Sequence, residues 1–273
     1  MSSSTNTASN QGFLRWEAST DKTSSASINN PAILRKPNAP ARGVGKGTQV
    51  VPRWELLLPG EPLALDIEFQ NYHRIGENHP VVKDSRGRVK GNSGKPQWRN
   101  RLGWIGIVNT RGEVILDVHV FYPQDKALQT MFPYAPGKQF GVTAQSVREV
   151  NGAVKGEVVE KWCNELFRDH SVVFFGGSND RTAFYYFAEM FKEVTTYDVQ
   201  EDWANTPEGG DKATPGLAEV TRNALKVEIQ KGGVHGPVED AQYTMKLYML
   251  KHAFDRAEAA AQWQAVYGPS FGQ

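Results

Sequence analysis

Cysteine is almost missing from this chain of 273 residues; the one present is Cys163. No internal disulfide can form, and a cysteine-based zinc site is excluded. Such thiol usage points to a reducing compartment, so the expected location is intracellular, nuclear or cytoplasmic. Long apolar runs are missing too. None approaches the roughly 18 residues that cross a bilayer, so no membrane partner is expected. The start, MSSSTNTASN, has neither the apolar stretch of a secretory signal nor the Arg-rich pattern of a transit peptide. Nor is there an excess of one charge. The net charge is +1, so only local clusters can speak for a charged partner.

What is present suits a globular protein with a sizeable core: 39% of residues are apolar and 22% charged. The first 30 residues include 16 Ser, Thr or Asn. Too little apolar surface is available there to offset the entropy of ordering, so a disordered tail is predicted. A Pro-rich stretch follows, with basic residues and no acidic ones up to Trp54. It reads as a solvated linker, or as a nuclear-targeting or RNA-contacting segment. The expected organisation is therefore tail and basic linker over 1–53, a compact domain over 54–260 and a C-terminal tail over 261–273.

Within the compact region, PLALDIEF reads as a buried strand. Two further strands, 102–110 and 113–122, are joined by the turn signal Asn109-Thr110-Arg111-Gly112. Helical spacing over 155–170 places Cys163 in a buried face. SVVFFGG is a short strand ended by glycines, 181–194 is predicted as an apolar helix, and TTYDVQ is another strand. TPGLAEVTRNAL opens with a helix-start signal, and 238–254 is a long helix. A meander of strands followed by alternating helices and strands defines an α/β fold. The expected sheet is mixed and five-stranded, with an antiparallel meander, then parallel strands, and helices on its flanks.

The chemistry sits in the acids. Hydrolysis of a phosphodiester must stabilise charge on the attacking and the leaving oxygen. Two divalent ions can do that when several carboxylates surround one point. Asp66 and Glu68, at i and i+2 on a strand, project from one face. The alternative is a solvated strand end, and a lone D-x-E arises by chance in a chain of this composition. His235 and Asp240 lie in HGPVEDA, where Pro237 favours the first turn of a helix. A loop imidazole beside an inward carboxylate suits a general base; a surface His and a helix-start Asp are the alternative. The same spacing recurs in His79 and Asp84, but no apolar helix follows. Asp180 in GGSND stands where a strand gives way to a helix, as a ligand or as a cap.

Taken in order, these motifs resemble the DEDDh 3′→5′ exonucleases of the ribonuclease H-like superfamily. LALDIEF, IGIVNTRGEVILDVHVFYP, TTYDVQ and VHGPVEDAQYTMKLYMLK are similar to segments of its RNA exonuclease 4-like subgroup. The resemblance covers roughly residues 60–255. It implies a ribonuclease H-like fold and a pair of ions, Mg²⁺ or Mn²⁺. Asp66 would bridge both, Glu68 and Asp240 would hold one, Asp180 the other, and His235 would deprotonate the attacking water. It implies single-stranded nucleic acid as partner, RNA more than DNA. The alternative is a catalytically impaired protein of this fold that acts as a nucleic-acid-binding or scaffold module.

Two departures from the family pattern stand out. Gly176-Gly177 replaces the usual Gly-His, and the spacing to Asp180 is short, which leaves Asp169 as a rival ligand. The link over 72–101 is long and basic. Its Arg86, Arg88, Lys90, Lys95, Arg99 and Arg101 are candidates to clasp a phosphate backbone, and Trp98 to stack a base; a plain solvated insertion is the alternative. GVGKGT lacks the upstream Gly and the Ser or Thr of a phosphate loop, and no strand precedes it. His73 and His79 have no helical H-x-x-x-H spacing for a metal. No G-x-S-x-G elbow is present. The aromatics of 184–191 read as core.

Overall fold

In the computed structural model, residues 49–267 are described. The predicted tail, most of the basic linker and residues 268–273 lie outside the described residues. The strands are β1 (Leu63–Arg74), β2 (Arg99–Val108), β3 (Val114–Phe121), β4 (Leu128–Met131), β5 (Val154–Lys155), β6 (Val172–Phe174) and β7 (Thr196–Asp198). The helices are α1 (Gly156–Phe167), α2 (Val199–Trp203), α3 (Leu217–Val220), α4 (Pro237–Lys251) and α5 (Arg256–Tyr267). A wider π-type turn, Thr221–Leu225, continues α3.

The sheet is mixed, with spatial order β5-β3-β2-β1-β6-β7 and β4 paired to the far end of β1. The meander β1-β2-β3 is antiparallel. Its turn is closed by Gly112 N–H donating to Asn109 O at 2.9 Å. Beyond β1, β6 and β7 run parallel. The count of five strands is corrected to seven. Two strands carry no readable pattern: β4 is four residues long and mostly exposed, and β5 is two residues long.

Alternation along β1 sorts the layers. Leu63, Leu65 and Ile67 enter one core with Val159, Cys163, Leu166 and Phe167 of α1. Ala64 enters the other, with Ala241, Met245 and Leu247 of α4. Asp66 and Glu68 share the pleat phase of Ala64, so they turn toward α4.

The helix predicted over 181–194 is not there. Short 3₁₀ turns, Asp180–Thr182 and Met190–Lys192, flank irregular chain. Glu160 of α1 supplies the reason. Its fully buried carboxylate accepts from Tyr185 N–H (3.0 Å), Tyr186 N–H (2.6 Å), Phe187 N–H (3.0 Å) and Tyr122 Oη–H (2.9 Å). Those three amides would otherwise donate within a helix. The aromatic residues are core, as expected, in part: Phe184 and Phe191 pack on Phe167 and Phe174.

The 72–101 link is an ordered two-stranded ribbon. Bridges Asn78↔Pro96 and Lys83↔Val89 tie its limbs. Asp84 closes the tip, accepting from Arg86 N–H and Arg88 N–H at 2.9 Å each.

Gly106 lies opposite Asp66 in the β1–β2 register. A Cβ there would come within 2.6 Å of Pro237 C and Val238 N. The missing side chain is what lets the first turn of α4 sit directly on the sheet. Gly106→Ala is expected to lift α4 and to cost about 1–3 kcal/mol, the range for overpacking. Urea unfolding checks this: a midpoint equal to wild type would show that the contact gives way freely.

Candidate metal centre

The acidic centre forms where β1 and α4 meet. Asp240 stands in the first turn of α4, after Gly236 at the N-cap and Pro237 at the first helical position. Ligand atoms of Glu68, His235 and Asp240 all lie within 4.8 Å of one another. His235 Nδ1 is 3.7 Å from Asp240 Oδ2. The imidazole is steered by its backbone: His235 N–H donates to Gln139 O at 2.8 Å, and Gln139 N–H donates to Gly233 O at 2.8 Å. Its ring also rests on Phe140, with centroids 5.2 Å apart. Trp104, register partner of Glu68, forms the floor. It stacks on His119 and donates from Nε1 to Asp117 Oδ1 at 2.6 Å.

Asp66 and Asp180 stand beside this triad. Burial, then the charges of Asp240, Asp180 and Glu68, push the Asp66 carboxyl well above the usual carboxylate range. Asp66 keeps part of its surface open to solvent, yet it is ringed by protein closely enough for burial to be the largest cause. Burial, then Asp240 and Asp180, push Glu68 up to about 9, with Lys138 acting in the opposite sense. Burial raises Asp180 to about 7, against the N–H groups of Asp180 itself and Ile67. The rival Asp169 is exposed.

The loop that carries Asp180 is gripped by Asp198, at the end of β7. Its carboxylate accepts from Gly176 N–H (2.8 Å) and Gly177 N–H (3.1 Å) and caps α2 through Gln200 N–H (3.1 Å). In sequence, Asp198 followed by Glu201 is a D-x-x-E helix-start pattern. That pattern reveals the cap; the grip on the distant loop leaves no local trace. Gln230, whose Nε2 donates to Asp240 Oδ2 at 2.8 Å, and Lys138 belong to no motif at all.

The donor set fits a divalent ion of the hard kind. Glu68, His235 and Asp240 bring two carboxylates and one imidazole together, with Asp66 and Asp180 near enough for their charges to be felt, and oxygen donors suit Mg²⁺ or Mn²⁺. Asp240 Oδ1 is buried and has no hydrogen-bond partner, an arrangement that an ion would complete.

The basic link sorts differently. Arg88 pairs with Asp84 at 2.8 Å, and Arg99 pairs with Glu77. Arg101 faces inward, 5% exposed, with its guanidinium 4.3 Å from the Tyr122 ring centroid. Trp98 is part-buried, edge-on to His73. Arg86, Lys90 and Lys95 are exposed, with no ion-pair partner among the described residues. His79 and Asp84 lie on this ribbon, away from any helix.

The mixed α/β sheet flanked by helices is a fold shared with solved structures of other proteins. Similar solved structures include the Saccharomyces cerevisiae Pan2 pseudoubiquitin hydrolase–RNA exonuclease module in complex with AACCAA RNA. It has a TM-score of 0.50 and 16% identity, over 90% of this chain and 38% of that chain. The Saccharomyces cerevisiae PAN2 pseudoubiquitin-hydrolase–RNase module gives 0.50 and 16%, over 91% and 38%. The Neurospora crassa Pan2 catalytic unit, with protease and nuclease domain, gives 0.48 and 16%, over 90% and 35%. The chain thus spans well under half the length of these chains, and at this identity the likeness shows the fold. No protein-family model and no curated protein sequence matches the chain.

Raised carboxyl pKa values mean that the folded, metal-free protein holds protons more tightly than the unfolded chain. The associated stability is complete below the ordinary carboxylate range. It is lost as pH rises through the folded values, about 7 for Asp180 and about 9 for Glu68. Metal-free Tm is therefore expected to fall from roughly pH 5 to roughly pH 9, less steeply in Glu68→Gln, with Mn²⁺ restoring most of the loss. Thermal denaturation across that window checks it; a wild-type profile that rises, or that matches Glu68→Gln, contradicts it.

Proposed function

We propose that this chain is a metal-dependent 3′→5′ exonuclease acting on single-stranded nucleic acid, RNA in preference to DNA. The convergence of Glu68, His235 and Asp240 beside Asp66 and Asp180 carries the reading. The shared fold and an RNA complex among the similar structures support it.

Asp66, Glu68, Asp180 and Asp240 would hold two divalent ions, Mg²⁺ or Mn²⁺. When bound, such ions offset charge on the attacking and leaving oxygens of a displacement at phosphorus. His235 acts as general base. With Nδ1 turned to Asp240, its Nε2 is the atom free to take the proton of the attacking water. Asp240 thereby helps to orient the imidazole. Trp104 and Phe140 wall the centre and limit bulk water around it. Arg86, Lys90 and Lys95 on the ribbon would hold phosphates upstream of the cleaved end. Six residue steps along β1 take the chain from Glu68 to Arg74 at the ribbon's base, about 20 Å at strand spacing. Ribbon contacts therefore serve longer strands.

Among the described residues, no helix is long and apolar enough to cross a membrane. The reading places the protein inside the cell, nuclear or cytoplasmic.

A 5′-labelled single strand with Mg²⁺ or Mn²⁺ is expected to shorten stepwise from its 3′ end, and RNA faster than DNA. A circular strand should stay intact; cutting it would indicate an endonuclease. Asp66→Ala is expected to lose about 10²-fold or more in rate, the scale of removing one transition-state contact, while keeping its fold by circular dichroism. An intact linear strand under both metals would reduce the chain to a nucleic-acid-binding module. Arg86→Ala with Lys90→Ala should raise KM for long strands and leave kcat unchanged. It should also flatten the salt dependence by about 0.7 for each phosphate no longer neutralised. Equal salt slopes would remove the ribbon from the interface.

A further inference from the structure

We infer that Gln230 is a positioning residue for the acidic centre: its side-chain amide fixes the Asp240 carboxylate so that one oxygen stays free for a divalent ion. This rests on the metal-ion reading above. Gln230 precedes the 3₁₀ turn Lys231–Gly233, in the loop that leads to His235. Its Nε2 donates to Asp240 Oδ2 at 2.8 Å, and its backbone N–H donates to Glu239 Oε2 at 3.2 Å. The residue is thus tied twice to the first turn of α4. The same Oδ2 faces His235 Nδ1 at 3.7 Å. Both approaches fall on one oxygen, while Oδ1 is buried without a partner. A carboxylate held in this way cannot rotate to bring the other oxygen forward.

The type of residue matters. A lysine or arginine in this place would neutralise Asp240 and compete with the ion. A glutamate would add a fifth carboxylate to a crowded centre. A neutral amide donates without doing either. The backbone agrees: Gln230 has φ 54° and ψ 36°, the left-handed region that favours glycine. Asn205, Asp211 and Lys226 share that region, so the backbone is only consistent with a used side chain; the two hydrogen bonds to α4 carry the argument.

Mn²⁺ titration calorimetry on the full chain, with Tm measured in parallel, tests this. Gln230→Gly removes the amide and suits the backbone, so Tm should be unchanged or higher. Gln230→Met keeps the length and loses the donor. Both are expected to bind Mn²⁺ about 10- to 100-fold more weakly than wild type, the range for losing a partner behind a metal ligand. Weakening in Gln230→Gly but not in Gln230→Met would assign the effect to packing and overturn the inference. Wild-type affinity in both variants overturns it as well. No Mn²⁺ binding by the wild-type chain overturns the metal reading, and this inference with it.

Discussion

Mutual repulsion among buried carboxylates is the constraint around which this molecule is arranged. Asp66, Glu68 and Asp180 are raised by burial and by neighbouring acids. Folding alone would push such groups apart. Here the surrounding framework keeps them together. The pleat of β1 sends Asp66 and Glu68 to one face, Gly106 opens the space into which α4 settles, and Asp198 anchors the loop that carries Asp180. The first two are steric or backbone devices, the third is a carboxylate that grips backbone amides, and none of the three brings a positive charge to the centre.

The opposite face of the sheet uses a buried carboxylate in the other way. Glu160 is saturated by four donors, and its carboxyl is raised by burial against their pull. It organises the chain from Tyr185 to Phe187 without needing a cation. Glu61, also fully buried, takes a third course: it pairs with Arg256 of α5 and accepts from Leu58 N–H and Thr110 N–H, each at 3.0 Å. Buried acids therefore serve as an open site, a loop organiser and a helix anchor within one domain.

Legibility in the sequence follows the range of the determining contact. The meander is readable because alternation and the Asn109–Gly112 turn are local. Asp66 with Glu68, and His235 with Asp240, are readable as spaced pairs; their mutual approach depends on how α4 crosses the sheet. The irregular chain after Asp180 is unreadable, because its apolar pattern suits a helix and only Glu160, distant in sequence, takes its amides. The basic link is visible by composition. Composition does not reveal that Arg88 and Arg99 are spent on Asp84 and Glu77, or that Arg101 turns inward over Tyr122. Gln230 is invisible because its left-handed backbone and its reach to Asp240 have no sequence signature.

The carboxylates that meet at the centre enter from opposite ends of the folded region: Asp66 on its first strand, Asp240 on a helix near its close. During synthesis the sheet can begin to form on β1, β2 and β3 while α4 is still inside the ribosome. Until α4 emerges and docks on Gly106, Asp240 and His235 are missing from the sheet face. A nascent chain of this design therefore has no complete acidic centre until α4 has left the ribosome and reached the sheet.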